Sequence, residues 1–428
     1  MSTQQTLSGT GASALPLTGD DIIGSPQGRL FLPLLVLSWF GTACVAGAIS
    51  GASLPKLLTL MDEGTKEDNL ALISAVGGVV IMIATPLFGR LSDRTTSRLG
   101  MRRPWFLGGA VVGSIGCVAL GLAGSVAMLV VGWGIVQIGF GAVAMANHTL
   151  LADQVPARIR ARVSAAVGVG MALASILAVG IVASLPIDQS WLWFVVPGAM
   201  GLLCVLPICF GFRDVVRTTP PEPLRLRDVL STYWLNPVTY RDFGWAWASR
   251  FFMTMSILTI SLFLFFLIVD TLGYTADQAG GVQTTALTMF MVGNIVATVL
   301  FGWISDRTGR RKLIVWTSGL CSALGVTVLM VSPGMGMFLG GMLVVGFAQG
   351  AYVAVDVALM TEVLPSRQDA GKDLGIVALS YQLPQIIGPV VGAAVIALAG
   401  GDYDGLFLFS IICSALGGLA VIPIRGVR

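Results

Sequence analysis

Charge is what this chain has least of. Across 428 residues, Asp, Glu, Lys and Arg make up 11%, less than half of the roughly 25% usual in water-soluble domains. An ordinary soluble globule is excluded. Histidine is nearly missing as well: His148 is the only one, so no histidine-built metal site can form and no metal is expected. The six cysteines, Cys44, Cys117, Cys204, Cys209, Cys321 and Cys413, stand singly in apolar segments without zinc-finger or redox spacing. They read as small buried hydrophobes. A net charge of +3 is too slight for nucleic-acid binding. No nucleophile–base pair, metal-ligand cluster or phosphate loop stands out, so neither an enzyme nor a resident cofactor is expected. Residues 1–28 hold no basic residue, which is unlike the start of a signal peptide and reads as a disordered tail.

What the chain does have is long uncharged stretches. Hydrophobic residues make up 55% of it, and the mean hydropathy is +0.86. From 104 to 152 no Asp, Glu, Lys or Arg occurs, enough for two membrane crossings of about 20 residues each. Apolar runs set against polar breaks predict twelve helices, at 30–58, 69–90, 104–124, 127–152, 163–185, 190–212, 243–271, 278–304, 312–332, 335–362, 374–399 and 404–424. The longest polar break, 213–242, separates a first half, 29–212, from a second, 243–428.

The basic residues set the orientation. With the N-terminus inside, all 25 Lys and Arg but three fall in cytoplasmic segments; Lys56 and Lys66 lie outside, and Arg250 lies within a helix. The positive-inside rule then places both termini and the 213–242 loop in the cytoplasm, in a multi-pass protein of a bacterial cytoplasmic membrane. The halves also repeat each other. FGRLSDR at 88–94 matches FGWISDR at 301–307, and LLADQVP at 150–156 matches LMTEVLP at 359–365. A parallel six-helix repeat is a plan used by secondary transporters, with a central site near the membrane midplane.

The first of these segments belongs to FGRLSDRTTSRLGMRRPW, residues 88–105, which carries five arginines and one aspartate. Gly89, Asp93, Arg94, Gly100, Arg102 and Arg103 resemble the loop signature between helices 2 and 3 of the major facilitator superfamily. Gly302, Asp306, Arg307, Gly309, Arg310 and Arg311 resemble its weaker second copy. The resemblance implies an all-α membrane protein, twelve transmembrane helices in two parallel six-helix repeats, working as a monomer. Asp153 ends helix 4 and Glu362 ends helix 10. Asp153 is expected to pair with Arg94 or Arg98, and Glu362 with Arg307 or Arg310, as a latch at the cytoplasmic rim; topology signalling by the arginines is the simpler alternative.

The wording of the loop also resembles the sucrose-transporter branch, whose SDR-x-x-SR-x-G-RRRP pattern is broken here only by Met101. NHTLLADQVP at 147–156 and LGIVALSYQLPQIIGP at 374–389 are similar to that branch too. The sodium–melibiose type has aspartates in its first-half helices, whereas here only Asp153 occurs, at an edge. The resemblance therefore implies proton-coupled import of a di- or oligosaccharide or a glycoside, with the proton gradient as energy source. Proton-antiporting export of a drug or metabolite is the alternative.

Charge at membrane depth costs roughly 2.5–3.5 kcal/mol per group, so the few cases matter. They are His148, Arg250 and Asp356. Arg250 and Asp356 reach similar depth from the same side, and in the superfamily fold their helices line one cavity. They are expected to pair, either as a permanent tie or as a carboxylate that binds the coupling proton. His148 is a second candidate carrier. Trp39, Gln137, Asn147, Asn294, Gln349, Tyr352, Gln382 and Gln385 are candidates for substrate, since amides can reach two hydroxyls and aromatic faces suit a sugar ring. Trp105, Trp191, Trp193, Trp245 and Trp247 read as interface anchors.

Overall fold

The computed structural model describes residues 28–212, 214, 216, 241–362 and 370–424. Apart from short connecting turns they are helical, in thirteen α-helices: α1 Gly28–Ala48, α2 Leu54–Met61, α3 Lys66–Asp93, α4 Arg103–Gly121, α5 Val126–Gln154, α6 Ala157–Ser184, α7 Leu192–Gly211, α8 Arg241–Asp270, α9 Ala276–Thr308, α10 Arg311–Met330, α11 Met335–Glu362, α12 Ala370–Leu398 and α13 Asp404–Leu419. α1 and α2 form one span, joined through a π-helical segment, Ile49–Ser53. Among the described residues, 11 helical spans are long and apolar enough to cross a membrane, and α13 is a shorter apolar helix.

Local sequence explains where the helices start and stop. Ser125 caps α5 by accepting the Met128 N–H, and Thr275 opens α9 with a reciprocal capping box to Gln278. α9 stops at Gly309, which takes a left-handed φ of 64°, a conformation that suits glycine. α6 starts at Ala157, earlier than the apolar run predicts, because its polar first turns are helical too. There Arg160 donates to the carbonyls of Ala152 and Val155. The π segment has no counterpart in the sequence reading.

Small residues then set how closely the helices approach. A Cβ on Gly139 of α5 would sit 2.1 Å from the Gly113 nitrogen of α4, and one on Gly350 of α11 would sit 2.1 Å from the Asn294 carbonyl of α9. Glycine here lets backbones touch, the usual device between membrane helices. α1 packs on α6 and α7, α3 on α5, and α4 on α5 and α7. Among the later helices, α8 packs on α12 and α13, α9 on α11, and α10 on α11 and α13.

The end of the bundle that holds the 94–102 loop is the motif end, and the opposite end is the far end. The helices before and after the 213–240 stretch meet along α3–α12 and α6–α9. A Cβ on Gly78 would strike Ile386, and one on Gly280 would strike Ala183. Gln283 of α9 donates to the carbonyl of Gly51, within the π segment, at 2.6 Å. These contacts run from the middle of the bundle to the far end.

Candidate functional site

Between the two sets of helices lies a cavity of about 370 Å³. α1 and the π segment contribute Trp39, Thr42 and Ser50, α3 contributes Ser74, and α5 contributes Trp133 and Gln137. Across from them α12 contributes Tyr381 and Gln385, and α8 the apolar Leu258 and Leu262. None of the lining residues is charged. The wall is therefore apolar with two indoles, one phenol, two amides and three hydroxyls, a surface for a neutral molecule with both ring faces and polar groups.

Three of these side chains, Trp39, Trp133 and Gln137, are held from behind. Trp39 is 5% exposed and meets His148 edge to face, with ring centroids 4.5 Å apart. Trp133 fits against α3 only because Gly77 has no side chain; a Cβ there would lie 2.2 Å from the indole nitrogen. Gln137 donates to the Gly77 carbonyl at 3.3 Å. Pro384 and Pro389 break the hydrogen-bond ladder of α12 beside Gln385. Of the residues expected at the substrate, Trp39, Gln137 and Gln385 line the cavity. Asn147, Asn294, Gln349, Tyr352 and Gln382 do not. Asn147 is fully buried with neither amide atom hydrogen-bonded, and Asn294 sits where α9 crosses α11 at Gly350.

Two of the three membrane-depth groups, Arg250 and Asp356, form a compact centre, whereas His148 lies apart from them against Trp39. Arg250 Nη1 lies 3.1 Å from Asp356 Oδ2, and the Tyr352 hydroxyl donates to Asp356 Oδ1 at 2.6 Å. Tyr352 and Asp356 are four residues apart on α11 and so share a face. Both carboxylate oxygens are engaged, and Asp356 is 6% exposed. Arg250 pairs with Asp356 as the cost of lone charge requires.

At the motif end the pairing differs from expectation. Neither Arg94 nor Arg98 holds Asp153. Arg102 does, with Nη2 at 2.9 Å from Asp153 and 2.7 Å from Asp93, while its Nη1 donates to Ser92 at 2.8 Å. The loop decides this. Gly100 turns left-handed at φ 106° and packs against Asp214, and Asp214 accepts the backbone N–H groups of Arg102 and Arg103. The start of α4 is thus capped by a carboxylate, and Arg102 is aimed at the ends of α3 and α5. All these groups belong to the helices before residue 217. Arg103 instead lies over the Phe212 ring, 5.3 Å from its centroid. In the second copy, Arg307 stacks on Trp303 at 4.1 Å, Asp306 and Arg310 are exposed, and the Glu362 side chain lies outside the described residues. Gly89 has open space around it.

Two tryptophans depart from the sequence reading. Trp193, expected as an interface anchor, is completely buried beneath the Lys56 ammonium at 4.4 Å. Trp133, not singled out, lines the cavity. Only its position on a helix already carrying Gln137 could have marked it.

Comparison with known proteins gives the same fold. A nucleoside transporter of known structure matches 92% of this chain and 99% of its own, with a TM-score of 0.72 at 12% identity. A bacterial homologue of the human lysosomal transporter Spinster, in an inward-facing and occupied conformation, matches 93% and 96% with a TM-score of 0.68 at 16% identity. At such identities the fold is shared and the substrate is not implied. Among curated relatives, a triacylglyceride transporter of Mycolicibacterium smegmatis is 33% identical over 135 residues, 31% of this chain and 24% of that protein. One of Mycobacterium tuberculosis is 28% identical over 152 residues, 35% of this chain and 29% of that protein. The match thus spans about a quarter of these relatives' length. The Major Facilitator Superfamily profile, by contrast, matches residues 36–287 and 278–427. A neutral cavity between two sets of membrane-spanning helices, a buried ion pair beside it and that profile agree: this chain is a multi-pass membrane transporter and belongs to the Major Facilitator Superfamily.

Proposed function

We propose that the protein is a proton-coupled importer of a neutral, amphipathic, polyhydroxylated solute such as a glycoside or small oligosaccharide. The observation that carries this is the uncharged cavity wall, with Trp39, Trp133 and Tyr381 offering ring faces and Gln137 and Gln385 offering amides. A volume of about 370 Å³ lies low in the range for compact ligands, about 300–1,000 Å³. Asp356 binds the coupling proton, and Arg250 competes for the carboxylate until substrate draws the guanidinium away. Two parallel six-helix repeats, with both termini cytoplasmic, would alternate access to the cavity. With that sidedness the far end faces outward.

Export of an amphipathic metabolite or lipid is the second reading, supported by the relatives named triacylglyceride transporters. A whole three-chain lipid exceeds this cavity, which favours the first. A thermal-shift screen of the purified protein against sugars, glycosides and acylglycerols at two pH values separates them. A true ligand at a hundredfold excess over its Kd stabilises by about 2.7 kcal/mol. Stabilisation by acylglycerols alone would overturn the glycoside reading.

A further inference from the structure

Four side chains from three segments meet at the far end, about 30 Å along α8 from Arg250 at 1.5 Å per residue. Lys66, at the start of α3, places Nζ 2.7 Å from Asp270 Oδ1 and 3.9 Å from Glu67 Oε1. It is 3% exposed and lies 5.4 Å from the Phe266 ring centroid. Tyr403, just before α13, is 4% exposed, and its phenol oxygen lies 2.8 Å from Glu67 Oε1 and 2.6 Å from Asp270 Oδ2. Lys66 and Glu67 come from the earlier helices, Asp270 and Tyr403 from the later ones. The cluster therefore ties the two sets together where the cavity is sealed.

The hydrogen count is one short. A phenol has a single proton to donate and an ionised carboxylate has none. If Glu67 and Asp270 were both ionised, one of them would face the phenol oxygen with lone pairs opposed, at hydrogen-bonding distance. One added proton resolves the conflict: Glu67 as an acid donates to Tyr403, Tyr403 donates to Asp270, and Asp270 accepts from Lys66. It also brings the cluster from a net charge of −1 to zero, which suits the buried Lys66 and Tyr403, although the Glu67 and Asp270 side chains keep 18% and 25% exposure. Tyr403 is not the source of that proton's site, since burial and the two carboxylates push its phenol above the usual tyrosine range and keep it protonated.

Nearby charged groups are otherwise engaged. On α2, Lys56 stands over Trp193 and feels Asp277 of α9. Asp62 accepts from Thr65 and Gly64, and Asp402 accepts the Asp404 N–H. Asp68 and Asp404 are exposed.

We propose that the Lys66–Glu67–Asp270–Tyr403 cluster is a proton-binding gate: sealing the far end takes up one proton on the Glu67–Tyr403–Asp270 chain, at a site separate from Asp356. The sealed state then holds one proton more than the open state. Its population rises as pH falls and declines as pH rises, by up to tenfold per pH unit across the transition.

The test is a distance measurement between spin labels at Glu63→Cys and Thr271→Cys, both exposed, in full-length protein whose six native cysteines are replaced, in lipid nanodiscs from pH 5 to 9. In the native cluster the short-distance population grows as pH falls. Glu67→Gln supplies a permanent N–H donor and stays short at every pH. Tyr403→Phe removes the bridge and loses the pH response. Asp356→Asn keeps it. A native distribution indifferent to pH, or a Glu67→Gln response like the native one, overturns the proposal. So does loss of the response in Asp356→Asn, which would assign the proton to the deeper site.

Discussion

Replacing Asp356 by Asn separates energy coupling from substrate passage. The structure sets the size of the effect. Asp356 is engaged through both oxygens, to Arg250 at 3.1 Å and Tyr352 at 2.6 Å. Asn keeps the shape and one acceptor but cannot gain or lose a proton. At 100 mV one proton carried inward contributes about 2.3 kcal/mol, which is about 50-fold accumulation at 1.4 kcal/mol per tenfold. In proteoliposomes at that potential, the native protein should reach accumulation of that order for one proton per substrate. Asp356→Asn should stop at equality with the outside yet still exchange labelled for unlabelled substrate. Arg250→Ala should fail in both assays and lose about 3 kcal/mol in denaturant unfolding, the low end for a broken buried pair, because the Arg250 side chain is 23% exposed. The double variant should be less damaged than the sum of the singles, by about 1–3 kcal/mol of coupling. Uphill accumulation by Asp356→Asn would refute the coupling role and make His148 the next residue to test.

Further outcomes can be checked with the same preparations. Arg102→Ala should slow transport while leaving the substrate Kd unchanged, since Arg102 ties Asp93 to Asp153 away from the cavity; a weakened Kd with normal turnover counts against that. Gly100→Ala should lower thermal stability, because the left-handed φ costs about 1–2 kcal/mol and the new Cβ would meet Asp214 at 2.3 Å. Gly350→Ala should cost about 1–3 kcal/mol by wedging α11 from α9, read as a lower denaturation midpoint. Replacing sodium by choline should leave uptake unchanged, whereas collapsing both the membrane potential and the pH gradient should abolish accumulation against a gradient.

How much of this was legible in sequence depends on which energy set the answer. The spans were legible because leaving a backbone polar group or a charge in hydrocarbon is so costly that only long uncharged runs survive. The Arg250–Asp356 pair follows from the same cost. Arg102 is different. Five arginines compete for Asp153 within a short loop, and the winner is chosen by the turn at Gly100 and the return of Asp214, neither visible as a periodicity. Cavity membership was legible only in part, because an amide on a helix can line a cavity, as Gln385 does, or be packed away from it, as the fully buried Asn147 is. Lys56 and Lys66 show the opposite failure. As charges they mark an outer loop, yet both are buried, one on an indole and one on a carboxylate.

The π-helical stretch at Ile49–Ser53 carries a consequence for the chain's tolerance of change. An extra residue in one turn shifts angular register by about 100°, the step per residue of a helix with 3.6 per turn. Upstream of it, Trp39, Thr42 and Ala46 look into the cavity; at its last residue Ser53 donates to the Trp193 carbonyl, and downstream Lys56 covers that indole. Both aspects can be satisfied only with the register broken between them. Deleting Gly51 would restore a uniform helix of nearly the same composition and hydropathy, and would swing one of these two faces toward lipid. A one-residue deletion there should therefore be far more damaging than any single substitution in the same stretch.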